Sequence, residues 1–202
     1  MANKAKIAKL FLQQQAKKNK HTELYKPLSS NKEVSINSNS SQINTLSLQF
    51  FLIKTIVSQQ VSTSAAKTIW ERMEGIFKTY KGKSITPEIL RTAGISERKS
   101  LYIMGILNNQ SLRSYSKKTL ESLPLDDLNK MLIQIKGVGP WTIGITRMFF
   151  IQDEDVWLDG DLGINKAIEI FLPRLDSDHI NTIYKPYRTY LSLYLWKGLD
   201  SI

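Results

Sequence analysis

The sequence predicts an all-α fold, built as a compact array of many short helices. Two observations carry this. Apolar residues recur at i, i+3, i+4 and i+7 in segment after segment, the spacing of one helix face. Alternating polar–apolar runs are scarce, and no internal repeat stands out. With 202 residues the chain has room for one domain with a real core, or a domain plus a tail.

Residues 1–43 differ from the rest. Eight lysines face only Glu23 and Glu33 there, which leaves most of the net charge of +10 in this part. Residues 29–42 are rich in Ser and Asn, as in a linker. We read 1–43 as a basic tail, either solvated and partly mobile or serving as an arm that adds non-specific DNA affinity. Residues 44–202 form the globular domain. Residues 48–57 are strongly apolar, and 58–62 interrupt them with polar side chains. A helix over 62–77 aligns Ala65, Ile69, Met73 and Ile76, with Ser62 or Ser64 as its cap. Residues 81–87 are a turn. A short helix over 87–93 ends at Gly94. The next, over 96–107, has Ser96 as cap and buries Ile103, Ile106 and Leu107.

After a proline break near Pro124, Asp126 is placed to cap a helix whose face is Leu128, Met131, Leu132 and Ile135. The turn Lys136-Gly137-Val138-Gly139-Pro140-Trp141 follows. Trp141, Ile145, Met148 and Phe149 form the face of a second helix, with Pro140 in its first turn. This is a helical hairpin, and its glycines let backbone N–H groups approach an anion at the second helix's positive end. Such a turn also occurs as a plain connection. A third helix follows Val156-Trp157-Leu158-Asp159-Gly160-Asp161, with Ile164, Ala167, Ile168 and Phe171 on one face. Two more are expected, over 177–184 and 187–197.

A pI near 9.7 favours a polyanionic partner. Cysteine is absent, which excludes disulfides, thiolate zinc sites, a cysteine nucleophile and cysteine-ligated iron–sulfur clusters. His21 and His179 lie far apart in sequence and suggest no transition-metal site. No apolar run is long enough to span a membrane, and the lysine-containing start is a poor secretory signal. An intracellular monomer is expected.

The run Ile135-Lys136-Gly137-Val138-Gly139-Pro140-Trp141-Thr142, followed by Asp159-Gly160-Asp161-Leu162-Gly163, resembles the helix-hairpin-helix DNA glycosylases. It most resembles the 3-methyladenine DNA glycosylase II branch, which removes alkylated purines. Three further segments match in order: Ser58-Gln59-Gln60-Val61-Ser62 with Ala65-Ala66, Gly94-Ile95-Ser96-Glu97-Arg98-Lys99, and Lys185-Pro186-Tyr187-Arg188-Thr189-Tyr190 through Tyr194-Leu195-Trp196. The resemblance covers residues 45–198 and implies two helical lobes flanking a cleft for DNA and a flipped base. Larger members of the branch carry an extra N-terminal sheet domain, for which this chain has no room.

The resemblance assigns roles. Excision breaks the bond between sugar C1′ and a base nitrogen, and an alkylated purine is already a good leaving group. The protein must stabilise an oxocarbenium-like sugar. The family's carboxylate for this task, which also orients water, matches Asp161; read alone, Asp161 caps the following helix, and the two roles coexist. Asp159 is its near rival. Asp153 and Asp155 read as exposed loop charges. Bifunctional members carry a lysine nucleophile two residues beyond the second glycine. Here that position is Trp141, so no lyase activity is expected.

Trp141 and Trp196 match pocket positions where indoles stack on a cationic base; as residues alone they read as core. Trp157 reads as core. Some members have a pocket aromatic where this chain has Ile145. The family's wedge side chain, which fills the gap left by the flipped base, matches Gln60, beside Gln59; the alternative is a plain surface loop. Gly137, Val138 and Gly139 form the DNA-binding hairpin. No cofactor is required, but the family binds Na⁺ or K⁺ through carbonyls that match Ile133, Ile135 and Val138. Arg188 contacts phosphate or anchors a carboxylate, and the sequence leaves both open. The expected partner is double-stranded DNA containing a damaged base. The alternatives are a relative acting on another lesion, a helix-hairpin-helix DNA-binding protein without catalysis, and a basic helical interaction protein unrelated to DNA.

Overall fold

The computed structural model describes residues 4–30, 32–36, 47–80, 84–173 and 175–201. Among them there are helices and turns and no strand, the all-α class that the apolar spacing predicts. They fall into two compact units: residues 45–146, and a second built from residues 1–44 with 147–202.

In the contiguous unit, α3 (Leu48–Ser58) is the centre. Leu48, Phe51, Leu52, Ile53 and Ile56 are all buried along it. Around it pack α4 (Thr63–Thr79), α6 (Glu97–Asn108), α7 (Ser111–Ser114) and α10 (Pro140–Ile145). α5 (Pro87–Arg91), α8 (Lys117–Glu121) and α9 (Leu125–Ile133) complete the unit. Buried Gln49 donates to the carbonyls of Ile106 (2.8 Å), Leu107 and Asn109, and so closes the end of α6. Ser62 caps α4 and Ser96 caps α6, as their positions predict. Asp126 does not cap α9. The helix starts two residues earlier, with Pro124 at the cap position, and Asp126 and Asp127 lie in its first turn. α7 and α8 have no counterpart in the sequence reading, being too short to show a period.

The helix after the hairpin is shorter than its apolar spacing suggests. α10 ends at Ile145, and Thr146–Ile151 widens into a π-helical turn. Thr146 is buried and its hydroxyl donates to the carbonyl of Thr142 at 2.7 Å, which competes with the regular ladder there.

The discontinuous unit is assembled on α13 (Arg188–Leu199), which packs against α11 (Leu162–Phe171), α2 (Tyr25–Ser30) and α1 (Lys4–Lys18). α12 (Ser177–Ile183) completes it. The tail reading of residues 1–43 is therefore corrected for Lys4–Ser30 and residues 32–36. α1 buries Ala5, Ala8, Leu12 and Ala16, and Leu24, Leu28, Val34 and Ile36 are buried beyond it. Lys4 pairs with Glu154. Three of the four buried side chains of α1 are alanines, which carry little hydrophobic signal in a sequence yet let helices approach closely. Residues 31 and 37–43 of the expected linker, and 81–83 of the expected turn, lie outside the described residues.

His21 is half-buried, and its Nδ1 lies 2.6 Å from the Tyr184 hydroxyl. Burial holds its pKa below the usual 6.5, partly opposed by Glu23. A neutral ring accepts the tyrosine proton at Nδ1; a protonated ring cannot.

Two outcomes follow for stability. Leu12→Ala should lower it by about 2–5 kcal/mol in urea titration, as for a core leucine, whereas a free tail would show no change. Because the folded pKa of His21 is depressed, the unfolded chain takes the proton first. The His21 contribution is thus fully present above pH 6.5 and is lost as pH falls through that value toward the folded pKa. The urea midpoint should drop between pH 7.5 and 5.5, and drop less in His21→Asn.

Candidate functional site

In the contiguous unit the hairpin forms as its sequence predicts. α9 ends at Ile133, the chain turns through residues 134–139, and α10 begins at Pro140. Gly137 has φ +88°, and a Cβ there would lie 2.5 Å from Tyr102 Cδ2. The position therefore needs glycine both for its backbone angle and for the tyrosine packed against it. Val138 is buried, and its N–H donates to the Ile135 carbonyl at 2.9 Å. That amide serves the turn itself. Gly139 occupies the cap position of α10, where no side-chain cap is made. Trp141 is half-buried in the first turn of α10.

The 58–62 loop meets the hairpin through Gln59. Its carboxamide donates to the Gly137 carbonyl at 3.1 Å and to Thr142 Oγ1 at 2.9 Å. Gln59 and Gln60, adjacent in sequence, thus part company: Gln59 is half-buried and bonded, while Gln60 is exposed with φ +55°. Lys99 was visible only as part of a motif. The structure has its ammonium donating to the carbonyls of Val57 (3.0 Å) and Gln59 (2.6 Å) at the end of α3. Burial lowers its pKa below the ordinary lysine value.

In the discontinuous unit, Asp161 caps α11, accepting from the Ile164 N–H at 2.8 Å. The same oxygen, Oδ1, accepts the Trp196 indole N–H at 3.0 Å. Trp196 is half-buried on α13 and lies nearly parallel to Phe149, with ring centroids 6.4 Å apart. A Cβ at Gly163 would lie 3.0 Å from the Trp196 ring and 3.2 Å from Asp161 Oδ1. The glycine gives the indole room to reach the carboxylate. Asp159 is exposed and accepts from Ser177 Oγ, which in turn accepts the indole N–H of half-buried Trp157.

The remaining acids of this segment are not loose loop charges, which corrects the sequence reading. Arg147 pairs with Asp153 at 2.7 Å. Arg188 grips Asp155 with Nε at 2.5 Å and Nη2 at 2.8 Å, and also reaches Asn181. Of the two roles left open for Arg188, the structure has it anchoring a carboxylate. The partners are more than thirty residues apart in the Asp155–Arg188 case, so the sequence had no local signal for it. Beside them, Thr189 Oγ1 donates to the Asp153 carbonyl (2.7 Å) and accepts the Val156 N–H (3.0 Å), while its own N–H donates to Glu154 O. α13 therefore holds the segment leading to Asp161 at both ends.

Among the described residues no group of three or more His, Asp or Glu could hold a metal ion. No helix among them is long and apolar enough to cross a membrane.

No protein-family profile matches the chain. Individual proteins do. It is 31 % identical over 161 residues to DNA-3-methyladenine glycosylase 1 of Schizosaccharomyces pombe, covering 72 % of this chain and 70 % of that one. It is 28 % identical over 167 residues to a Bacillus subtilis protein described as a putative DNA-3-methyladenine glycosylase, covering 74 % of this chain but only 58 % of the relative's length. The S. pombe 3-methyladenine DNA glycosylase Mag1, solved in complex with abasic DNA, superposes with a TM-score of 0.64 at 28 % identity, over 75 % of this chain and 80 % of that one. The hairpin, the capped Asp161 and these similarities agree: the chain belongs to the 3-methyladenine DNA glycosylases of the helix-hairpin-helix superfamily.

Proposed function

We propose that this chain is a monofunctional DNA glycosylase that flips alkylated purines of the 3-methyladenine type out of duplex DNA and excises them during base excision repair. The observation that carries the reading is the Asp161 carboxylate, fixed by the Ile164 N–H and the Trp196 indole in a member of this family.

In this mechanism the C1′–N bond of the flipped nucleotide breaks and the electron pair leaves with the base. Positive charge grows on the sugar, and Asp161 stabilises it electrostatically. Water adds to C1′ under the orientation of the same carboxylate, and its surplus proton leaves through that group. The products are free base and an abasic site. Fixing the carboxylate in advance matters because it need not reorganise as the charge develops. Trp141 offers an indole face to the cationic base. Its position has no amine, so no Schiff base forms there and the strand is left uncut. Gln60 is the wedge. Trp196 works first as the donor that orients Asp161.

The hairpin's backbone grips a DNA phosphate beside Gly137 and Gly139. For Na⁺ or K⁺ the candidate donors are the carbonyls of Ile133, Ile135 and Val138. Ile133 ends α9, where carbonyls lose their helical partners, and an all-oxygen set suits a hard cation. Such an ion would supply positive charge beside the phosphate. The workplace of the protein is wherever the DNA lies: cytoplasm and nucleoid, or nucleus.

The deciding experiment is release of free base from methylated duplex DNA, with hot alkali used separately to reveal abasic sites. The native chain should release 3-methyladenine or 7-methylguanine and leave strands that break only after alkali. Asp161→Asn should still bind DNA but release base at least about a hundredfold more slowly. If Asp161→Asn stays active, the residue is a helix cap and nothing more. Trp196→Phe keeps an aromatic ring but removes the N–H. Single-turnover release should fall about tenfold or more, as expected for one hydrogen bond to a charged group, with little change in DNA affinity.

A further inference from the structure

We infer that Lys99 and Gln59 are positioning residues that fix the wedge loop, Lys99 to α6 and Gln59 to the hairpin, so that the phosphate grip and the intruding Gln60 act as one rigid part. This rests on the reading of Gln60 as the wedge. The loop between α3 and α4 is only residues 59–62. Each of its fixed points is visible. Ser62 caps α4 at one end. At the other, the Lys99 ammonium donates to Val57 O at 3.0 Å and Gln59 O at 2.6 Å, meeting the negative end of the α3 dipole. Between them the Gln59 side chain crosses to Gly137 O and Thr142 Oγ1 on the hairpin. What remains to project is Gln60, with Val61 39 % exposed beside it.

The backbone of Gln60 supports the same conclusion. A non-glycine residue at φ +55° sits in a sparsely populated region and persists when its surroundings over-determine it. The surroundings here are the Lys99 and Gln59 bonds on the carbonyl and side chain of the residue just before it. A long polar side chain such as glutamine gains less from burial in a base stack than leucine does. A rigid mount offsets this, because less freedom is lost when the loop enters the DNA. Lys99 touches no reacting atom; it acts through Gln60.

The test is a double-mutant cycle on an abasic duplex carrying 2-aminopurine beside the abasic nucleotide, whose fluorescence reports unstacking by the wedge. Gln60→Ala and Lys99→Met should each lower the insertion equilibrium about tenfold, and the double variant should be no worse than Gln60→Ala alone. Lys99→Arg should restore most of the signal, since it keeps a donor cation. If the two losses multiply, or if Lys99→Met or Gln60→Ala leaves the signal unchanged, the inference is overturned. Should Lys99→Met fail to fold, Gln59→Leu cuts the tie to the hairpin and must show the same lack of additivity with Gln60→Ala. The readout needs no base release. A native chain that unstacks the duplex but frees no methylated base would sink the enzymatic reading and leave this inference standing; the reverse result would do the opposite.

Discussion

Five carboxylates crowd the nine residues from Asp153 to Asp161, and the way their charges are answered governs this part of the protein; Glu154 is answered by Lys4. Asp153 is answered by Arg147 and Asp155 by Arg188. Asp159 is met by the hydroxyl of Ser177. Asp161 Oδ1 accepts from the N–H of Ile164 and from the indole of Trp196. The distinction is chemical. An arginine partner offsets a carboxylate's field, whereas a neutral N–H donor fixes the direction of the oxygen it meets. The two arginine-held acids also brace the backbone, accepting from the N–H groups of Asp155 and Arg188.

The same segment has almost no regular structure, so its backbone groups need partners from elsewhere. α13 supplies them through Thr189 and Arg188 at one end, and at the other its Trp196 meets the Asp161 side chain. Those contacts are two turns of helix apart on one rigid rod. The carboxylate therefore inherits the rigidity of α13 even though it sits on a loop. Rigid support for a loop-borne group is what catalytic geometry requires.

Much of this was legible in the sequence because it is local. The hairpin, its glycines, and the Ser62, Ser96 and Asp161 caps are each written in a few adjacent residues. What escaped is what depends on distant chain. The alanine face of α1 is too weakly apolar to announce burial, so lysine content dominated the reading of that stretch. Asp155 meets its arginine only after thirty-three residues, and Gln59 meets Gly137 only after seventy-eight. Gln59 and Gln60 show the limit most plainly, since identical side chains one residue apart have opposite environments. Trp196 was assigned to a pocket from its position in a motif; no sequence pattern could show where its N–H points.

The division of the chain into a contiguous unit and a split one orders events during synthesis. Residues 45–146 are complete as soon as they leave the ribosome, and they carry the hairpin, the 58–62 loop, and the Gln59 and Lys99 bonds that hold that loop. The other unit must wait. α1 and α2 are made first, but the helix they pack against, α13, is made last. Asp161 and the indole that orients it belong to this late-closing unit. A chain interrupted after Thr146 holds the hairpin and the 58–62 loop without Asp161 or Trp196.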